Sequence, residues 1–234
     1  MKHYLTFIIL LLSIKTVVGQ DFKVKDLFPK QEIVSIENAV NLYWESKNDN
    51  DPQKAIVELE AISKKYPQNW LVPFWSSYIA TQVNNTTRDA TFLDKAQLYY
   101  NDAEKALGST KNDSIIYSYF KGLQSLIYRL KSFNAKDSKE VQKLQKQSLD
   151  ELNEGIRLQP ENPVLWVLSA TGPFNNLRNN LAQQQTSLAL LKDAKDKFSE
   201  IKERSKADIS YMNEHWTDFW INGLSTGLGL IKQD

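Results

Sequence analysis

His215 is the first residue to weigh for chemistry, because it is the one imidazole outside the N-terminal segment; His3 is the other. It lies in Asn213-Glu214-His215-Trp216, with Asp218 three residues further on. A general acid or base needs a reacting group within about 3 Å and a partner that orients its ring. No nucleophile motif accompanies it. The chain has no cysteine, which removes disulfides, thiolate metal sites and cysteine nucleophiles together. Asp150, Glu151 and Glu154 share one helical face with Lys146 and Arg157, the spacing of ordinary i,i+4 charge pairing. Asp49, Asn50 and Asp51 lack the glycine and closing glutamate of a calcium loop, and read as a turn and helix cap. Lys131, Lys136, Lys139, Lys143 and Lys146 are diluted by Asp137 and Glu140 and read as a solvated loop and helix face, with anionic envelope polymers as a remote second reading. The expectation is no catalytic residue, no metal and no cofactor.

Composition narrows the class. The 234 residues are 41% hydrophobic and 24% charged, ordinary globular usage with chain enough for a core. Eight glycines argue against glycine-cradled phosphates and a barrel of tight turns. Lys2 and His3 precede an apolar run, Tyr4–Leu12, broken only by Thr6, and Val17-Val18-Gly19 stands like a cleavage site before Gln20. A membrane span needs about 20 apolar residues, and Lys15 interrupts this stretch well short of that. Residues 1–19 are therefore expected to be a cleaved signal peptide, leaving a secreted or periplasmic chain with no membrane span. Without Lys2 and Lys15, 27 basic residues face 28 acidic ones, which gives no electrostatic case for nucleic acid. A cysteine-free secreted chain fits a bacterial envelope.

The elements that position these residues read as helices throughout. Ile33, Ile36, Val40 and Tyr43/Trp44 fall at three- and four-residue steps. Asp51-Pro52 opens a second helix and Tyr66-Pro67 stops it. Further helices are expected over Trp70–Val83, Leu93–Leu107 (capped by Asp94), Asn112–Leu130, Val141–Leu158, Pro163–Ala170, Thr186–Lys202 and Ala207–Leu224. No segment alternates cleanly enough for a strand. The fold class is all-α.

The second helix of each pair carries an internal code: Ala55, Leu59, Ile62, Pro67; then Ala96, Tyr100, Ala103, Gly108; then Ser148, Leu152, Gly155, Pro160; then Ser187, Leu191, Ala194, Ser199. A small residue is followed four on by a large one, three on by a usually small one, and five on by a turn residue. Small side chains admit the neighbouring helix, the large one fills the gap, and the breaker turns the chain. Trp166 and Ala170 follow Pro160 at six and ten residues, and Ser77 follows Pro67 at ten, with Pro73 where a tryptophan would stand. Over about residues 31–201 this pattern resembles the tetratricopeptide repeat (TPR). The resemblance implies a short right-handed superhelical array of about four hairpins (31–67, 70–108, 112–160 and 163–202) with a capping helix over 207–224. The repeat starts are unevenly spaced, and the surplus residues are expected in loops near Asn84–Thr91, Lys131–Glu140 and Phe174–Gln185. The Asn- and Gln-rich stretch after Thr171-Gly172-Pro173 reads as a degenerate edge repeat.

In that family the first helices line a concave groove. The resemblance places Trp44, Leu71, Phe74, Tyr78, Tyr119, Val164 and Val167 on it, an aromatic and near-neutral face without a carboxylate clamp. An exposed apolar groove of that size needs a cover. Either a protein or peptide partner supplies it, or the final helix does, with Ile209, Met212, Trp216, Phe219 and Trp220 as its stripe. The functional expectation is a non-catalytic protein-interaction module. The alternative is a small-ligand binder or enzyme with a pocket near His215, Trp216 and Trp220.

Overall fold

A computed structural model describes residues 27–46, 51–172, 180–201 and 205–230. The expected signal segment 1–19 and the first half of the Phe174–Gln185 stretch lie outside them. Among the described residues the helices are α1 (Lys30–Trp44), α2 (Asp51–Lys65), α3 (Leu71–Thr87), α4 (Thr91–Leu107), α5 (Ser114–Asn134), α6 (Ser138–Leu158), α7 (Pro163–Thr171), α8 (Leu181–Glu200) and α9 (Glu214–Gly227). Short 3-10 turns cover Gly108–Asn112 and Ile209–Tyr211. None of these helices is long and apolar enough to cross a membrane.

Starts are set by side chains that accept the free backbone N–H groups of a first turn. Asp113 caps α5 through Ile115 and Ile116, Asp137 caps α6 through Lys139 and Glu140, and Asn162 caps α7 through Val164 ahead of Pro163. Two starts differ from the sequence expectation. Asp89 rather than Asp94 binds the first turn of α4, its carboxylate accepting from the Thr91 N–H at 2.9 Å. Asn180 caps α8 through Gln183, so that helix begins before Thr186.

Each helix packs on the next in sequence, giving hairpins α1/α2, α3/α4, α5/α6 and α7/α8. The first helices also touch one another in a row, α1 on α3, α3 on α5, α5 on α7 and α7 on α9. The repeat code marks the contacts inside the hairpins. Ala55, Ala96, Ser148 and Ser187 are all buried, as are Ala103, Gly155 and Ala194. Ser77 donates to the Ala96 carbonyl at 2.8 Å, and Ser125 and Ser148 each donate to the other's carbonyl at 2.8 Å. The surplus of the third repeat goes into helix rather than loop. Both α5 and α6 run 21 residues: α5 continues past the expected stop at Leu130 to Asn134, with Ser132 buried and donating to the Arg129 carbonyl, and α6 begins at Ser138 under the Asp137 cap.

Leu165 of α7 wedges between two glycines. A Cβ on Gly122 would meet its Cδ2 at 3.0 Å, and one on Gly155 would meet both its methyls at 3.2 Å. Gly223 on α9 has open space around it. Gly155→Val is accordingly expected to lower stability by about 1–3 kcal/mol through overpacking. Gly223→Ala is expected to raise it by about 0.5–1 kcal/mol, the ordinary helical preference for alanine over glycine. Urea unfolding of the two variants checks the opposite signs.

Candidate protein-interaction face

The row of first helices presents a face, and the chain's own residues 205–216 lie across it. Helix α8 ends at Glu200, and Ile201 after it is extended. Asp208 accepts from the Ser210 N–H at 2.9 Å and bends 209–211 into a 3-10 turn. Met212 and Asn213 form a turn, in which Asn213 takes a left-handed conformation, φ 63°, which asparagine tolerates better than most residues. The final helix therefore starts at Glu214, not at Ala207. Its expected stripe is divided: Ile209 and Met212 are fully buried in the crossing segment, Trp216 and Trp220 are half-buried, and Phe219 is 59% exposed.

The strap is held by polar groups reaching out from α1 and α3. Glu37 accepts from the Ser205 hydroxyl at 2.6 Å and the Lys206 N–H at 3.1 Å. The Trp75 indole donates to the Ala207 carbonyl at 2.6 Å. The Tyr78 hydroxyl accepts from the Asn213 N–H at 3.1 Å and donates to its side-chain oxygen at 3.3 Å. The Trp216 indole donates to Gln82 at 3.0 Å. Met212 reaches the cleft where Gly122 meets Leu165 and Leu168. Two donors at this seam, Trp44 Nε1 and Asn213 Nδ2, are buried without an acceptor among the described residues.

The seven residues assigned to the groove separate into two sets. Trp44 and Tyr78 meet the strap: Trp44 lies 6.2 Å from the Tyr211 ring and 4.9 Å from the His215 ring, centroid to centroid, and Tyr78 bonds Asn213. Leu71, Phe74, Tyr119, Val164 and Val167 are buried; Phe74 packs on Phe120 at 5.1 Å. Trp75, Gln82 and Glu37 hold the strap without having been singled out in the sequence, and Tyr43, read there only as part of the α1 stripe, bonds His215. On α3 every residue from Leu71 to Asn84 is buried, so periodicity does not distinguish the strap-facing side. No local signal in the sequence marked Trp75, Tyr78 and Gln82 as that side.

His215 sits at the end of this seam, its Nε2 3.1 Å from the Tyr43 hydroxyl. The residue is open to solvent along one side. Its ring nonetheless packs among Tyr43, Trp44 and Trp216, and that burial pushes its pKa down to about 4. Burial also holds the Tyr43 and Tyr78 phenols well above their usual range, so neither ionises near neutrality. Of the carboxylates on the same helix, Asp218 is held by Lys195 at 2.6 Å, and Glu214 adjoins His215 in sequence. Unfolded histidine titrates near pH 6.5. Between about pH 6.5 and 4 the unfolded chain therefore binds the extra proton, and falling pH removes stability across that window. The loss is complete below the folded pKa. His215→Gln is expected to flatten this part of the Tm–pH curve relative to the native chain.

No family model matches the sequence. No curated protein matches it either. Among solved structures, the crystal structure of a thermophilic TPR protein of Thermus thermophilus superimposes with a TM-score of 0.52 at 15% identity, covering 86% of this chain and 100% of that one. The fold is TPR-like. Its hairpins and row of first helices match what the repeat code implied, down to the small residues at the helix contacts.

Proposed function

We propose that this is a non-catalytic helical-repeat protein, secreted or periplasmic after loss of residues 1–19, that binds a protein or peptide partner through the face of its first helices. One observation carries the reading: a peptide segment is already seated there. Residues 205–216 insert Ile209 and Met212 and offer backbone groups to Trp75 and Tyr78. That arrangement is peptide recognition performed in cis. Trp44 and Tyr78, with Trp75 and Gln82, form the contact surface, and Leu71, Phe74, Tyr119, Val164 and Val167 support it from within. The unpaired Trp44 Nε1 and Asn213 Nδ2 cost about 1–3 kcal/mol each, so a segment that satisfies the indole competes with the strap on favourable terms. His215, neutral and held by aromatic rings, supports packing rather than proton transfer at neutral pH.

The test uses the mature chain and a Met212→Asp variant, which weakens the strap, as baits in envelope extract, with mass spectrometry of the captured proteins. A partner recovered by the native chain and enriched by Met212→Asp is expected. Equal backgrounds for both baits, or capture abolished by Met212→Asp, would count against the reading. Edman sequencing of the exported protein is expected to begin at or near Gln20.

A further inference from the structure

We propose that the cavity between α5, α6 and the end of α7 is a binding site for a carboxylate, held by Arg129, on a small organic acid with an apolar body. The cavity is separate from the strapped face. Its volume is about 480 Å³, within the roughly 300–1,000 Å³ usual for small-molecule sites.

Arg129 lines it with no counter-ion among the described residues. The guanidinium donates to the Leu168 carbonyl at 2.8 Å and to the Thr171 hydroxyl at 3.2 Å. Those bonds use two of its five N–H groups. Among the described residues no carboxylate pairs with it. Helices α5 and α7 contain no Asp or Glu. On α6, Asp150, Glu151 and Glu154 are already taken by Lys146, Lys121 and Arg157 at 2.5, 2.8 and 2.7 Å. Glu140 stands in the first turn of that helix, exposed to solvent. The carbonyls ending α7 supply only a helix dipole's partial negative charge. Burial without a counter-ion pushes the Arg129 pKa down to about 10, which leaves it charged at neutral pH. Gly172 permits the arrangement, since a Cβ there would stand 3.2 Å from Nη2.

The neighbouring groups define the ligand. Gln145, Asn153 and Ser169 line the same cavity, Gln145 and Asn153 exposed on α6 and Ser169 half-buried on α7. They are neutral donors suited to the outer oxygen of a bound acid. A planar guanidinium matches a carboxylate in two parallel bonds, and one cation balances a monoanion better than a phosphate dianion. Phe133 and Leu149 at the same cavity are 49% and 55% exposed, an apolar wall that a hydrocarbon body would cover.

Benzoate, benzamide and inorganic phosphate are titrated into the full chain while the Arg129 Nε–H signal is followed by NMR. A peptide ending in a free leucine carboxylate runs alongside. Saturation by benzoate is expected, with no effect of benzamide and at least tenfold weaker binding of phosphate. Saturation by the peptide instead would also support the site and identify a chain end as the carboxylate's source. Arg129→Lys is expected to weaken binding at least tenfold. Because Arg129 also closes α7 and its variants can unfold, Ser169→Trp serves as a second variant that fills the cavity while keeping the guanidinium; it is expected to abolish the benzoate response. The proposal is overturned if neither carboxylate saturates, if benzamide matches benzoate, if phosphate binds as tightly, or if Ser169→Trp leaves binding intact. A merely structural Arg129 would lower Tm on substitution and show no ligand-dependent shift.

Discussion

Truncation before Ala207 is expected to lower the melting temperature by about 10–20 °C or to abolish the cooperative transition. Ile209 and Met212 are fully buried, and losing them removes about 1.5–3 kcal/mol each. The Trp75 indole loses the Ala207 carbonyl, a bond with a net value of about 0.5–1.5 kcal/mol. For a chain of this length each kcal/mol corresponds to roughly 2–4 °C, and the total is a large share of the roughly 5–15 kcal/mol that holds a typical domain together. Calorimetry on the native and shortened chains decides the matter. An unchanged transition would mean that 205–216 is a detachable tail and not part of the core.

Ala103→Trp is expected to be the most damaging single substitution in the hairpin contacts. Ala103 is completely buried on α4, which packs against both α3 and α5. An indole has no room there, and overpacking costs roughly 1–3 kcal/mol and more, or about 2–12 °C and more in Tm. Lys105→Trp, two residues away and exposed, is the control; such surface changes stay within about 0.5 kcal/mol. Equal Tm values for the two variants would mean that the repeat register is wrong.

The hairpins were legible because their signals are local. Asp51-Pro52, Tyr66-Pro67, Gly108 and the Asn162-Pro163 cap punctuate the chain, and the small residues of the code recur at fixed offsets. The length of α5 and α6 was less legible, since the lysines from Lys131 to Lys146 read as a solvated loop and helix face, and the Asp137 cap that starts α6 at Ser138 was not singled out. The strap was half legible. Its apolar content was plain, and the choice between partner and self-cover was framed. Its backbone was not, because the left-handed turn at Asn213 depends on bonds to Tyr78, which is 135 residues away. Arg129 was passed over for a related reason. A lone arginine in an apolar helix carries no motif, and its missing counter-ion becomes visible only when α6 and α7 are placed around it.

The bond from Glu37 to Ser205 joins residues 168 positions apart, and this changes how the molecule folds as well as how it is held. A stack of hairpins is nearly one-dimensional: each unit contacts its neighbours, contact order is low, and the ends fray independently. The strap converts that open stack into a loop whose first and last units stabilise each other. Closure carries the entropy of a long loop, a cost that grows only slowly with length, but it is incurred late, after the hairpins exist. During synthesis the aromatic face of α1 and α3 therefore stays uncovered until the C-terminal segment from Ser205 onward emerges. In the finished protein the same link should make amide exchange in α1 and α9 rise and fall together as one cooperative unit, although they lie at opposite ends of the chain.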